Sequence, residues 1–217
     1  MSTLIVGDVH GCVDELEELV SRVGPSRVVL VGDLFTKGPD PAGVWRLVRD
    51  GGFEEVVGNH DDRLLRIVDG ARPGDDKGRK TIERLDAGDA TKGAWLAWLR
   101  GRPLFLDVPP YVVVHAGLHP SGDRAKTTRP MALTMRRWPF DGTGDDRPFW
   151  WQVYEGKSPV VFGHDAARGH VRIVKDGKPH LIGLDTGCVY GGKLSGWLPE
   201  EDRLVQVDAR RTYAPWK

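Results

Sequence analysis

Gly7-Asp8-Val9-His10-Gly11, Gly32-Asp33-Leu34-Phe35-Thr36-Lys37-Gly38-Pro39 and Gly58-Asn59-His60-Asp61 each follow directly on an apolar run that reads as a buried β-strand. Asp and Asn oxygens together with His nitrogens are the mixed donor set that suits divalent first-row metals, and a carboxylate at a strand end can bridge two ions. Further on, Val112-Val113-Val114-His115-Ala116-Gly117 and Val160-Val161-Phe162-Gly163-His164-Asp165 again place an imidazole where a hydrophobic strand runs into a glycine-containing loop. One Asp-x-His alone would read as a turn with an Asx hydrogen bond. Five such strand ends in chain order point to a two-metal site.

Working outward, the order is strand, helix, strand, helix. Leu4 to Val6 reads as a strand, Val13 to Val23 as an amphipathic helix carrying Leu16, Leu19, Val20 and Val23, and Val28 to Val31 as the next strand. Asp40-Pro41 suits a helix start, with Val44, Trp45, Leu47 and Val48 on the apolar face. Glu54 to Val57 is the third strand, and Leu64, Leu65, Ile67 and Val68 lie on a helix ending at Gly70. Residues 71–92, rich in Gly, Asp, Lys and Arg, read as a mobile excursion with one short helix around Ile82 to Leu85. Trp95, Leu96, Trp98 and Leu99 give another helix face. From Tyr111 onward the pattern turns to strands: Val171 to Val174 and Pro179 to Leu184 flank the hairpin signal Asp176-Gly177, and Leu194 to Leu198 and Leu204 to Val207 continue the β region.

The 217 residues carry 31 Lys plus Arg and 31 Asp plus Glu, so no electrostatic footprint argues for a nucleic acid polymer or a membrane surface. A small anionic substrate needs only local cations. Two cysteines, Cys12 and Cys188, are too few for a disulfide framework, and Thr3 enters a strand without a signal-peptide pattern, so a cytoplasmic location is expected. The cysteines read as small reduced residues, with a redox link between them as the alternative.

The five segments, together with Trp98-Leu99-Arg100-Gly101-Arg102-Pro103-Leu104 and Leu184-Asp185-Thr186-Gly187-Cys188-Val189-Tyr190-Gly191-Gly192-Lys193-Leu194, resemble the calcineurin-like metallophosphoesterases. The branch they look like holds the phosphoprotein phosphatases, bacterial symmetrical diadenosine tetraphosphate hydrolases and small bacterial protein phosphatases. The resemblance implies a single α/β domain over 1–217, a four-layer sandwich of two mixed β-sheets flanked by helices, with a substrate lid at 119–158. It also implies that Asp8 and His10 bind a first metal, that Asp33 bridges, and that Asn59, His115 and His164 complete a second. Two divalent ions are expected, manganese first, with iron, cobalt, nickel or zinc as alternatives.

Next to Asn59, His60 is the candidate general acid for the departing oxygen. Eukaryotic-type protein phosphatases carry an Asp-Arg pair where this chain has Thr36 and Lys37. Lys37 keeps the charge without the bidentate fork, and His60 must be oriented by something else, with Asp61, Asp62 and Asp185 as candidates. Arg63, Arg136 and Arg137 are candidate phosphate contacts, Asp185 a candidate carboxylate steering a ligand histidine, and Trp150 and Trp151 candidate stacking partners for an adenine. His119, His170 and His180 read as ordinary residues. The expected activity is symmetrical hydrolysis of diadenosine tetraphosphate to two ADP. The alternative is a protein serine/threonine or tyrosine phosphatase, with dual activity compatible with both; the partner is then a nucleoside polyphosphate or a phosphoprotein. A non-catalytic scaffold would not need to retain every ligand and the acid histidine, and a nuclease would need a basic track.

Overall fold

Period-two alternation along the apolar runs decides how the layers stack. A computed structural model describes residues 2–89 and 93–216. Its elements in chain order are β1 (Thr3–Val6), α1 (Val13–Val23), β2 (Arg27–Leu30), α2 (Pro41–Gly51), β3 (Glu54–Glu55), α3 (Asn59–Val68), α4 (Asp76–Gly88), α5 (Ala94–Arg100), β4 (Phe105–Val108), β5 (Tyr111–Val114), α6 (Arg129–Thr134), β6 (Val160–Phe162), β7 (Val171–Lys175), β8 (Lys178–Gly183), β9 (Lys193–Leu198) and β10 (Arg203–Asp208). Two five-stranded mixed sheets result, ordered β10-β9-β1-β2-β3 and β4-β5-β6-β8-β7. In the first, β1, β2 and β3 run parallel; in the second, β5, β6 and β8 do.

Ile5, Val29 and Val31 of the first sheet meet Val113, Val161 and Ile182 of the second in one buried layer. Their neighbours Leu4, Val6, Val28 and Leu30 turn the other way, onto Leu16, Leu19, Val44, Trp45, Val48, Leu64, Leu85, Trp95 and Leu99 of α1 to α5. On the far side, Val112, Val114, Val160, Phe162 and Leu181 face outward beneath Ala132 of α6 and beneath Leu118, Met135 and Trp150. Helix, sheet, sheet and a thinner helical cover are the four layers.

Local signals account for most boundaries. Pro41 opens α2, and the Asp40 carboxylate accepts the Gly43 N–H at 2.8 Å. Asp176 (φ 52°) and Gly177 (φ 74°) are both left-handed, as a two-residue hairpin turn between β7 and β8 requires. Three readings change. Residues 71–92 contain the 13-residue α4 rather than a mobile excursion; Asp75 caps it at Gly78, and Gly78, Thr81 and Leu85 form its buried face. Two of those three positions carry no hydrocarbon signal, which is why the periodicity shows only a short helix; residues 90–92 lie outside the described residues. The edge strand β4 precedes Tyr111 and gives only a weak strand signal, because Phe105 and Leu106 are half-buried and the exposed Asp107 interrupts them. β3 keeps only two residues of the expected four.

Within residues 119–158, expected as a lid, Ala132, Met135 and Trp150 form part of the outer cover of the second sheet, and Arg136 lines the main cavity. Trp150 in particular is 1% exposed, with its ring against Phe162 at 5.0 Å and Tyr154 at 5.7 Å. It belongs to the core and has no face left for a nucleobase. Trp150→Ala should therefore destabilise the fold by about 3–5 kcal/mol. Urea unfolding followed by far-ultraviolet circular dichroism checks this; a loss under about 1 kcal/mol would contradict the burial argument.

Candidate metal centre

Because β1, β2 and β3 are parallel, as are β5, β6 and β8, the loops leaving their carboxyl ends gather at one end of the sandwich, the usual place for a site in such sheets. Asp8 and His10 follow β1, Asp33 follows β2, and Asn59 and His60 follow β3. His115, His164 and Asp185 arrive from β5, β6 and β8.

Asp33 belongs to two donor groups, one with His10 and His60 and one with Asp8 and His115, each with its atoms within 4.8 Å of one another. His10 Nε2 stands 3.6 Å from Asp33 Oδ2, and His115 Nε2 stands 3.6 Å from Asp33 Oδ1. Asn59 Oδ1 lies 2.9 Å from His115 Nε2 and 3.0 Å from His164 Nδ1. His115 Nδ1 donates to the Val31 carbonyl at 2.8 Å, so its Nε2 is a bare lone pair facing two oxygen acceptors. Asp8 Oδ2 and His164 Nε2 are buried with no hydrogen-bond partner at all. Lone pairs crowded together with no proton to share fit cations, and the O/N donor set fits divalent first-row metals.

The backbone is held in costly conformations to achieve this. His10 (φ 48°), Asp33 (φ 58°) and His164 (φ 73°) are all left-handed non-glycine residues. Neighbouring glycines make the room: a Cβ on Gly163 would sit 2.1 Å from Asp8 Oδ1, and one on Gly58 would sit 2.2 Å from the Asp33 nitrogen.

Burial dominates the electrostatics. It pushes Asp33 and Asp185 up to about 6, and, with Asp185 and Asp33 beside it, raises Asp8 well above the usual carboxylate range. The same burial holds His115 down to about 4 and His10 and His164 well below the ordinary imidazole value. His60 is lowered to about 2, by burial and then by Lys37.

The remaining expected residues separate into two groups. A cavity of about 420 Å³ brings Lys37, His60, Arg136 and Asp185 together with Asp8, His10, Asp33, Asn59 and His164. Lys37 Nζ donates to His10 Nε2 at 3.0 Å and lies 5.3 Å above the Tyr190 ring. Arg136 Nε is 3.5 Å from Asp165 Oδ1. Arg63 lines the neighbouring cavities and is paired with Asp75. Arg137, by contrast, donates to the Arg147 carbonyl and lies 4.4 Å over Phe149, and Trp151 stacks on the same Phe149 at 5.2 Å; neither lines the main cavity, so both expectations are corrected along with Trp150. None of the three carboxylates suggested for His60 hydrogen-bonds its ring among the described residues. Asp61 is taken up by backbone N–H groups of Asp33, Leu34 and Gly58, Asp62 by Arg129, and Asp185 by Gly187 N–H. The His60 ring instead stands edge-on to His10 at 5.1 Å, while the His60 backbone N–H donates to Asp33 Oδ1 at 2.8 Å.

Two aromatic residues of the cavity escaped the sequence reading. Tyr190 and Trp216 meet edge to face at 4.7 Å, with Trp216 56% exposed. Tyr190 lies inside the quoted Leu184 to Leu194 segment, but Trp216, next to the end of the sequence, carries no pattern that marks it.

A family model for calcineurin-like phosphoesterases matches residues 1–212. The chain is 31% identical to a symmetrical bis(5'-nucleosyl)-tetraphosphatase of Aeromonas hydrophila, over 99% of this chain and 100% of that one. It is 30% identical to an asymmetrical bis(5'-nucleosyl)-tetraphosphatase of Oceanobacillus iheyensis, over 96% and 93%. Among solved structures, a candidate diadenosine tetraphosphatase superposes with a TM-score of 0.78 at 33% identity, covering 100% of this chain and 94% of that one. A metallophosphoesterase from Sphaerobacter thermophilus shares the fold at a TM-score of 0.60 and 18% identity, over 97% and 88%.

Proton competition sets the pH dependence of metal binding. Asp33 and Asp185 hold protons up to about 6, whereas the histidines, lowered from 6.5, are neutral there. A cation must displace the carboxyl protons, so binding weakens as pH falls through about 6. The melting temperature gained on adding manganese should be large at pH 7.5, corresponding to about 2.7 kcal/mol at one hundred times Kd, and should shrink below pH 6. An equal gain at pH 5 and pH 7.5 would contradict this.

Proposed function

Because the chain belongs to the calcineurin-like phosphoesterases and is therefore a metal-dependent phosphoric ester or anhydride hydrolase, we propose that it hydrolyses diadenosine tetraphosphate symmetrically, to two ADP. In this reading Asp8, His10, Asp33, Asn59, His115 and His164 hold two divalent ions, manganese by preference, with Asp33 shared. The observation that carries it is the pair of buried, unpartnered atoms Asp8 Oδ2 and His164 Nε2 beside an Asp33 common to both donor groups. When bound, the two ions lower the pKa of a water and neutralise phosphoryl oxygens.

The chain's own groups do the rest. Lys37 and Arg136 offer positive charge at the cavity wall for the non-reacting phosphates. His60 gives a proton to the departing oxygen. Burial, and then Lys37, favour the neutral ring; the negative charge of an incoming phosphate opposes them. Asp185 places a carboxylate against the donors. The exposed edge of Trp216 with Tyr190 offers the adenine a face, a role that passes to them from Trp150 and Trp151.

The nucleotide reading draws on both tetraphosphatase relatives, which differ in where they cut. Chromatography of products from diadenosine tetraphosphate with manganese decides: two ADP is expected, ATP plus AMP would make the cleavage asymmetrical, and no reaction beside rapid phosphopeptide hydrolysis would replace the substrate class. Asp33→Asn should remove both metals and abolish turnover. His60→Ala should keep the metals and lose about 10²- to 10⁴-fold in kcat, with a much smaller loss on 4-nitrophenyl phosphate, whose leaving group needs no proton. Equal losses on both substrates would sink the proton-donor role.

A further inference from the structure

His60 stands where three cavities meet: the metal cavity, one of about 250 Å³ and one of about 470 Å³. The 250 Å³ cavity shares Lys37, His60, Arg136 and Tyr190 with the metal cavity, so the two are continuous around the imidazole. Its other wall comes from α3, from the first turn of α4 and from the C-terminal segment: Arg63 and Lys77 add charge, and Leu64, Ala214 and Pro215 add apolar surface. Four cations line it and no carboxylate does. Arg63 brings a buried Nε without a hydrogen-bond partner, and the Lys77 ammonium has no ion-pair or hydrogen-bond partner among the described residues.

We propose that this cavity seats the phosphates of the departing nucleotide, so that Lys77 and Arg63 select for a leaving group that is a nucleoside diphosphate. The inference rests on the dinucleotide reading above and adds to it a subsite built by α4. The leaving oxygen must lie beside His60, which gives it a proton, and what is attached to that oxygen must continue into a space bordering the same ring. A nucleoside diphosphate carries about three negative charges near neutral pH, with second phosphate pKa near 6; of the four cations, Arg63 is paired with Asp75 and Arg136 with Asp165, while Lys37 and Lys77 have no acid partner among the described residues and are complementary to it. The 470 Å³ cavity is the less suited continuation. It shares only Asn59 and His60 with the metal cavity, and Asp62 places a carboxylate in its wall.

The test uses the metal-loaded full chain. Lys77 is exposed and unpartnered, so Lys77→Ala should fold normally, which the melting temperature verifies. Titration calorimetry with ADP should show binding about fivefold to tenfold weaker than wild type, the order of one lost charge-assisted contact. Lys77→Arg should recover most of it, and Lys77→Glu should lose more. The fall in kcat/KM for diadenosine tetraphosphate should exceed that for 4-nitrophenyl phosphate by at least about fivefold. If wild type makes two ADP but Lys77→Ala binds ADP as wild type does, the subsite is wrong while the function stands. If Arg72→Ala, in the 470 Å³ cavity, weakens ADP and Lys77→Ala does not, the departing nucleotide lies there and the proposal is overturned. If wild type neither cleaves the dinucleotide nor binds ADP, both readings fall together.

Discussion

One buried carboxylate fixes the geometry on which the site depends. Asp61, in the first turn of α3 and 0% exposed, accepts the N–H groups of Asp33 at 2.6 Å, Leu34 at 3.1 Å and Gly58 at 3.2 Å. It therefore ties the loop after β2 to the loop after β3 and holds Asp33 in its left-handed backbone conformation. The Asp33 side chain answers by accepting the His60 N–H, so helix and loop hold each other reciprocally. Buried N–H groups left without acceptors would be destabilising by about 1–3 kcal/mol each, and that penalty is what keeps a strained backbone in place. Burial and the neighbouring Asp33 raise Asp61 to about 6, the electrostatic cost of using a carboxylate here.

The chain carries equal numbers of acids and bases, yet the fold separates them. Acids collect in the floor of the site, where burial raises Asp8, Asp33 and Asp185, while Lys37, Arg63, Lys77 and Arg136 stand around the walls. A neutral total thus conceals a local arrangement suited to cations below and phosphates above. Such a small separated field attracts a compact polyanion without making a track along which a polymer could bind.

Much of this was legible in the sequence, and the exceptions have a common cause. The parallel strands announce themselves as runs such as Val28 to Val31 and Val112 to Val114, because strands buried on both faces must be apolar throughout. Asp8, His10, Asp33, Asn59, His115 and His164 stand out in the sequence because each lies just beyond a strand, and the fold gathers those strand ends together. What failed were readings that needed distant contacts. α4 buries Gly78 and Thr81 against its neighbours, so its inner face looks polar in one dimension. Trp150 and Trp151 look alike side by side, but one fills the space above Gly117 and the other stacks on Phe149. Trp216 reaches Tyr190 across 26 positions of chain, a proximity that no local pattern encodes.

The hydrogen bond from the His164 N–H to Asp8 Oδ1 spans 156 positions, and that from His115 to the Val31 carbonyl spans 84. Every donor group draws on loops whose neighbours in space are remote along the chain, and closing such loops is entropically unfavourable until the sheets have docked. The ions therefore have nothing to hold until the sandwich is nearly complete, and they cannot nucleate it. Contacts absent from the folding transition state act on the reverse reaction. Metal held by loops from both sheets would lengthen the lifetime of the native protein by slowing its unfolding, and would leave the rate of folding almost untouched.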